Sequence, residues 1–241
     1  NTATWTSSPS FGSLTNTCGE QIIGGDGFFA YSTSVGFAYA QRTYTVPPHY
    51  GTVTISFRVF FLDSWDCETF YANVDGTDVY TEAHCYASQS DYICGNSGYK
   101  DSIADRITAP FAHTAHTLTL KFSSYLNELP DNESWGIKNV VIALKPCHPT
   151  CDYCTGPLYT DCTSCTSAYY FYNGQCVDPC PSGTYTSAPN CLTCHVDSIG
   201  PYYSCATCNA GSSSSCLSCG LNKYLHYVSG LAGYCMSSCP A

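Results

Sequence analysis

The chain has 241 residues, of which only 11% are charged, and 18 acidic residues against eight Lys and Arg give a net charge of −10. This charge repels phosphate backbones and anionic lipid surfaces, which makes nucleic acid a poor partner. No apolar run approaches the roughly 18 residues that a membrane span needs, so we expect no membrane insertion in this segment. The first residue is Asn1, which indicates a mature chain whose signal peptide was removed.

Residues 1–145 show the alternation of β-strands. The apolar residues at 53, 55, 57 and 59 alternate with polar ones, and the same two-residue period recurs at 118–122 and 140–144. Asp75-Gly76 predicts a two-residue hairpin turn. Short strands with Gly and Pro turns predict an all-β domain, a two-sheet sandwich of jelly-roll type. An immunoglobulin-like sandwich is the alternative, although its Cys…Trp…Cys spacing is missing.

Four of the 19 cysteines lie in this first region. Folding the chain back on the predicted hairpin brings Cys67 nearly opposite Cys85, which predicts a disulfide between them. Cys18 and Cys94 are then left for each other.

Two acidic clusters lie at predicted strand ends, each beside a tryptophan. Residues 63–68 follow the longest alternating strand, and residues 131–136 precede the last one. If both clusters face one rim of the sandwich, their carboxylates supply the oxygen ligands that Ca²⁺ prefers. The alternative is that these carboxylates are simply solvated in turns. The predicted calcium ligands are Asp63, Asp66, Glu68, Asp101 and Glu133.

The remaining fifteen cysteines begin just after Lys145-Pro146, which marks the domain boundary. Gaps of 2, 7 and 2 residues between cysteines occur twice, once from Cys151 and once from Cys205. Each copy also ends on Cys-Pro. The repeated spacing predicts a tandem, disulfide-rich and largely irregular region, with one repeat at 146–193 and a second at 194–241 that continues past the last residue.

The repeats resemble the furin-like, growth-factor-receptor type of cysteine-rich repeat. The matching motifs are CHPTC at 147–151, CTGP at 154–157, CTSC at 162–165 and GQCVDPCP at 174–181. The resemblance implies the pairs Cys147–Cys154, Cys151–Cys162, Cys165–Cys176, Cys180–Cys191, Cys194–Cys208, Cys205–Cys216 and Cys219–Cys235. It leaves Cys239 to a partner beyond the chain end.

Zinc and redox chemistry are the alternatives for these CxxC pairs. Zinc ribbons place roughly 15–20 residues between their CxxC pairs, whereas the inner gap here is seven. The βαβ setting of a redox CxxC is also missing. The segment is rich in cysteine and lacks an apolar core. It is therefore predicted to contain disulfides and no zinc, and to be extracellular.

The first region resembles a sandwich module found beside furin-like repeats in surface proteins of ciliated protists. The motifs are PPHY at 47–50, DSWDCE at 63–68 and ESWGI at 133–137. The module is similar to galactose-binding-like jelly rolls, which implies carbohydrate binding and a structural Ca²⁺ as expectations.

The sequence predicts no enzyme. It has no HExxH, GxSxG or Gly-rich phosphate loop. Paired carboxylates also serve glycosidases, but no separate general acid is identifiable. The lone histidines His49, His113 and His116 are interpreted as turn or core residues.

Two non-catalytic functions remain. Low charge, 21 tyrosines and dense cross-linking favour a structural glycoprotein that self-associates into a cell-surface coat or filament. The alternative is a carbohydrate-binding or receptor-type recognition ectodomain, with Trp5, Tyr50 and Trp65 stacking on sugar.

Glycosylation follows from an extracellular location. Asn132 fits the N-glycan acceptor pattern, and Asn16 is a weaker variant. The hydroxyl runs at 6–8 and 212–215 are candidates for O-glycans.

Overall fold

The computed structural model describes residues 5–10, 14–32, 36–85, 93–95, 98–196 and 203–238. Cys239, whose partner was predicted to lie beyond the chain end, is outside the described residues. The chain divides into two compact units, one of Asn1–Pro48 with Thr52–Leu144 and one of His49–Gly51 with Lys145–Ala241. The described residues form β-strands and one short 3₁₀ turn but no α-helix, so the all-β prediction is confirmed.

The first unit is a sandwich of two antiparallel sheets. Its strands are β1 Thr6–Ser8, β2 Thr15–Thr17, β3 Glu20–Phe29, β4 Tyr31–Ser32, β5 Gly36–Phe37, β6 Tyr39–Thr45, β7 Tyr50–Asp63, β8 Asp66–Val74, β9 Thr77–Cys85, β10 Ser102–Ile107, β11 Phe111–Ala112, β12 Thr117–Ser124 and β13 Glu133–Pro146. Sheet A has the order β1-β6-β12-β8-β9. Sheet B has the order β10-β7-β13-β3-β2, with β11 on β7. The chain passes repeatedly between the sheets, as in a jelly roll.

Aromatic side chains from both sheets fill the space between them. Phe57 on β7 contacts Phe122 on β12 with ring centroids 4.9 Å apart, and Phe70 on β8 meets Trp135 on β13 at 5.2 Å. All four rings are at most 1% exposed. Such edge-to-face pairs add to the burial of apolar area, so the aromatic layer holds the two sheets together.

The hairpin predicted at Asp75-Gly76 joins β8 to β9. Both residues have positive φ, 50° and 90°, the conformation of a two-residue turn that matches the strand twist. Asn73 accepts a hydrogen bond from the Gly76 amide at 2.8 Å and fixes the turn.

The alternation predicted at 140–144 lies in β13, but its apolar side chains are only half buried. The buried part of β13 is its first five residues, 133–137, because this part of the strand includes Trp135 and packs against the aromatic layer.

The second unit consists of short strands cross-linked by disulfides. They are β14 Cys151–Cys154, β15 Cys162–Cys165, β16 Tyr170–Tyr172, β17 Gln175–Val177, β18 Thr184–Ser187, β19 Asn190–Thr193, β20 Cys205–Cys208, β21 Cys216–Cys219, β22 Tyr224–Ser229 and β23 Ala232–Met236. The repeat region expected as largely irregular therefore contains ten strands of three to six residues.

Half-cystines form the buried clusters of the second unit. Cys147, Cys151, Cys154 and Cys162 are buried together, with Phe171 packed against them. A second cluster is made of Cys194, Cys205, Cys208, Cys216 and Cys235. Sulfur thus takes the place that large apolar side chains occupy in an ordinary core.

Each of the eighteen cysteines within the described residues belongs to a disulfide. The structure joins the nine pairs named in the sequence analysis, Cys18–Cys94, Cys67–Cys85, Cys147–Cys154, Cys151–Cys162, Cys165–Cys176, Cys180–Cys191, Cys194–Cys208, Cys205–Cys216 and Cys219–Cys235. Cys151, Cys162 and Cys176 lie close enough for a metal site, but each sulfur is already bonded to another.

Replacing Cys219 and Cys235 together by serine tests whether sulfur stabilises the second repeat. Cys235 is fully buried, and one cross-link contributes roughly 2–4 kcal/mol, so amide hydrogen exchange in β21–β23 should rise at least about tenfold. The β14–β15 hairpin is the internal reference and should keep its protection. Unchanged exchange in β21–β23 would contradict this role.

Candidate metal centre

The structure brings together three of the five predicted calcium ligands. Asp66, Glu68 and Glu133 each place a carboxylate oxygen within 4.8 Å of the other two. Asp66 and Glu68 lie at the start of β8, and Glu133 is the first residue of β13. We call these three residues the acidic triad.

Hydrogen bonds hold the two strand ends side by side. The Ser64 amide donates to the Asn132 carbonyl at 3.0 Å, and the Trp65 indole donates to the Ser134 carbonyl at 2.9 Å. Cys67 lies between the two β8 carboxylates and has φ 96°, in a β-bulge opposite β9. The bulge turns Asp66 and Glu68 toward the start of β13.

Glu133 is completely buried, and neither carboxylate oxygen has a hydrogen-bond partner among the described residues. Burial, followed by the neighbouring carboxylates of Glu68, Glu128 and Asp66, raises its pKa to about 7. The backbone amide of Glu128 offsets part of this rise without reaching hydrogen-bond geometry. Glu133 is therefore a buried carboxyl group without a basic side chain beside it among the described residues.

Glu68 is almost as buried, at 9% exposed. Its carboxylate accepts from the Asp66 amide at 2.7 Å and from the Asn127 side chain at 3.4 Å. Burial is the main cause that raises its pKa to about 7, with the adjacent Asp66 carboxyl second. Asp66 itself is exposed, so the acidic triad opens to solvent on the Asp66 side.

Asp63 and Asp101, the other two predicted ligands, form a separate structural pair. Asp101 is fully buried, and its two oxygens accept from the backbone amides of Asp63, Ile93 and Cys94 at 3.0, 2.8 and 2.7 Å. A Cβ on Gly95 would lie 2.7 Å from the Asp63 carboxylate, which requires glycine there. Asp101 thus organises the loop around Cys94 and does not join the acidic triad.

Glu128 is a site residue that the sequence analysis missed. It lies in the loop before β13, and its carboxylate accepts from the Asn132 side-chain amide and from the Ser64 hydroxyl. The amide nitrogen predicted to carry an N-glycan is therefore engaged beside the acidic triad. Asn16, the weaker acceptor, is exposed on β2.

A second half-buried carboxylate has the opposite environment. Glu82 on β9 receives two hydrogen bonds from Arg106, both at 2.7 Å, and one from the Tyr80 hydroxyl. Burial alone would raise the pKa of Glu82, but these donors hold it well below its usual range. The same network raises the pKa of Arg106, and burial raises that of Tyr80 to about 12.

The outer face of sheet A carries a groove of about 370 Å³. Tyr71 and Tyr125 form one end of it, with ring centroids 5.1 Å apart, and Tyr125 is 56% exposed. The polar lining includes Gln41, Asp78 and Lys121. The groove is an open surface on which aromatic rings lie next to amide, carboxylate and ammonium groups.

The aromatic residues predicted to stack on sugar do not lie in this groove. Trp65 is fully buried and Tyr50 is 3% exposed, so neither offers a ring face to a ligand. Trp5 stacks on Phe122 at 6.1 Å. Tyr50 and Trp65 are therefore core residues, as Trp and Tyr in a sandwich most often are.

Two of the lone histidines have carboxylate partners. His113 lies 2.8 Å from Asp75, and His49 lies 3.2 Å from Asp152. His116 is exposed, and its carbonyl accepts from the Val46 amide.

No known family model matches the chain. Human proprotein convertase subtilisin/kexin type 5 is 34% identical over 84 residues, 33% of this chain and 4% of that protein. The match lies in a cysteine-rich, non-catalytic region of the convertase. Cysteine repeat modular protein 2 of Tetrahymena thermophila is 30% identical over 93 residues, 34% of this chain and 4% of that protein.

These similarities support a furin-like type of cysteine-rich repeat, and the ciliate relative agrees only loosely with the predicted ciliate-type surface protein. The chain spans only about 4% of the length of both relatives. Together with nine disulfides, the similarity indicates an extracellular location.

Among solved structures, a chain described as "CBM4 structure and function" aligns with 60% of this chain and 97% of its own length, at a TM-score of 0.34 and 9% identity. A likeness at this level carries no information about function. Nowhere in the described ranges is there a helix long and apolar enough to cross a bilayer.

Replacing Arg106 by glutamine tests the Glu82 network. Because the pKa of Glu82 is lowered on folding, its contribution is present above the ordinary Glu pKa of about 4.3 and is lost as the pH falls below it. Arg106→Gln should therefore lower the free energy of unfolding by about 2 kcal/mol at pH 7 and by much less near pH 2. Tryptophan fluorescence during urea unfolding measures this, since all three tryptophans lie in the sandwich.

Arg58→Gln is the matched control, because the Asp105 side chain that Arg58 binds is 71% exposed. Because solvent screens this exposed pair, its loss should change the free energy of unfolding much less than the loss of the Glu82 network. Equal losses in the two variants would contradict the importance of the Glu82 network.

Proposed function

We propose that the chain is a structural segment of an extracellular glycoprotein that self-associates into a coat or filament. The observation that carries this proposal is the distribution of exposed apolar side chains, which concentrate on the second unit. Five of them lie in or beside the β22–β23 hairpin, namely Leu221, Tyr224, Tyr227, Val228 and Leu231, each more than half exposed. Several large apolar side chains exposed on one hairpin favour an interface with another protein.

The exposed apolar side chains of this hairpin lie on β22 and in the turn that leads to β23. Leu225, on the same strand, packs against the buried half-cystines of the second repeat. Because burying exposed apolar surface is favourable, we assign the exposed apolar residues of the β22–β23 hairpin as the self-association surface, with a second copy as its partner.

Sedimentation velocity of the intact chain tests this assignment. The sedimentation coefficient should rise with concentration, and Tyr227→Lys with Val228→Lys should abolish the rise because burying charged side chains in an apolar contact is unfavourable. Leu158→Lys with Tyr159→Lys is the control, since it changes two equally exposed residues in the first repeat. A sedimentation coefficient of the unmodified chain that does not change with concentration would contradict the proposal. Filaments in negative-stain images would show that the self-association continues beyond a dimer.

Carbohydrate recognition is a second candidate function, favoured by the groove on sheet A. The exposed Tyr125 ring and the half-buried Tyr71 ring offer apolar surface to the C–H groups of a sugar ring. Side chains such as Gln41 and Asp78 offer hydrogen bonds to its hydroxyls. Tyr71, Tyr125 and Gln41 replace the buried Tyr50 and Trp65 as the proposed sugar contacts.

A glycan array followed by calorimetry on the intact chain tests the groove. Tyr125→Ala should weaken binding of a hit at least about tenfold, equivalent to about 1.4 kcal/mol. Ile107→Ala, which removes an exposed apolar side chain from the opposite sheet, should leave binding unchanged. Equal affinity of the two variants would place the ligand elsewhere and reject the groove.

A further inference from the structure

We propose that Asp66, Glu68 and Glu133 bind one Ca²⁺ ion where β8 and β13 begin. This site is independent of the proposed self-association. Clustered acidic residues alone are common on protein surfaces, but burial, hydrogen bonding and spacing distinguish these three.

Glu133 supplies the decisive observation. Its side chain is completely buried, and both carboxylate oxygens lack a hydrogen-bond partner among the described residues. An isolated buried carboxylate is strongly unfavourable unless a cation or hydrogen-bond donors compensate it. The Glu133 carboxylate belongs to the acidic triad, so a cation bound there would also contact Glu68 and Asp66.

No basic side chain provides this compensation in the part of the chain that the structure describes. The salt bridges there engage Glu20, Asp75, Glu82, Asp105 and Asp152. None reaches the triad or Glu128, so four carboxylates lie at one rim of the sandwich without a cationic partner.

The spacing and the ligand type fit calcium. Calcium binds oxygen at roughly 2.3–2.6 Å, so oxygens on opposite sides of the ion lie roughly 4.6–5.2 Å apart. The triad oxygens, within 4.8 Å of one another, can surround such an ion without rearrangement of the strands. Three carboxylates supply up to six oxygens, and water enters from the exposed Asp66 side to complete the coordination.

The supporting backbone is rigid, which a metal site requires. The Cys67–Cys85 disulfide fixes the bulge between Asp66 and Glu68, and Trp65 ties this turn to the Ser134 carbonyl beside Glu133. The three ligands are therefore positioned before any ion binds.

Isothermal calorimetry with CaCl₂ on the intact, chelator-treated chain tests the site. We expect saturable binding of one ion, with a dissociation constant of roughly 10⁻⁴–10⁻³ M as in other extracellular modules. MgCl₂ should bind more weakly, because Mg²⁺ demands shorter, octahedral coordination. Tb³⁺ luminescence excited through tryptophan gives a second readout, since Trp65 and Trp135 adjoin the triad in sequence.

Glu133→Gln and Glu68→Gln should each weaken calcium binding at least about tenfold and remove the rise in melting temperature that CaCl₂ produces. Glu20→Gln is the matched control, because Glu20 is paired with Lys138 at 2.7 Å outside the triad. Near-ultraviolet circular dichroism checks that each variant is folded, and Glu68→Gln decides the test if Glu133→Gln is not. Absence of calcium binding to the unmodified chain, or full binding by the folded Glu variants, would overturn the proposal.

Discussion

Covalent bonds between sulfur atoms are the constraint on which both units of this chain depend. In the repeats, the buried clusters consist almost entirely of half-cystines, with single aromatic or aliphatic residues such as Phe171 and Leu225 packed against them. A segment of this length with so few large apolar residues cannot bury enough surface to offset the entropy of ordering its backbone. Cross-links reduce the entropy of the unfolded chain instead, so the repeats hold a defined conformation without a conventional core.

The sandwich has its own aromatic core, and there the disulfides serve a different end. Cys67 lies between two of the triad carboxylates, and the Cys94 amide donates to Asp101. The first bond thus fixes the backbone beside the acidic triad, and the second fixes the loop whose amides bind Asp101. Carboxylates are normally kept out of such positions by their desolvation cost. A covalently fixed rim can retain them, because the aromatic layer and the disulfides stabilise the fold independently.

The sequence predicts well what depends on neighbours along the chain. Alternation locates β7 and β12, Asp75-Gly76 locates the β8–β9 turn, and the repeated cysteine spacing locates the repeats. It predicts less well what depends on side-chain environment. Asp101 has the same chemistry as Asp66, yet three backbone amides occupy its oxygens, and no spacing rule reveals this. Tyr50 and Trp65 likewise become core residues, because β7 and the turn after it pack against the aromatic layer.

Two glutamates in the same sandwich show how strongly the surroundings of a carboxyl group control its pKa. Glu82 and Glu133 both lose solvent on folding, and for both this desolvation is the largest influence on the pKa. Glu82 lies beside Arg106, and the hydrogen bonds from Arg106, His84 and Tyr80 together with the charge of Arg106 more than reverse that influence, so the charge of Glu82 stabilises the fold. Glu133 lies beside other carboxylates, which raise its pKa in the same direction as desolvation does. The first arrangement is complete within the chain, whereas the second would be completed by the cation that we propose to bind there. That difference would separate a structural ion pair from a binding site, and it depends on which side chain lies across from the carboxylate rather than on the carboxylate itself.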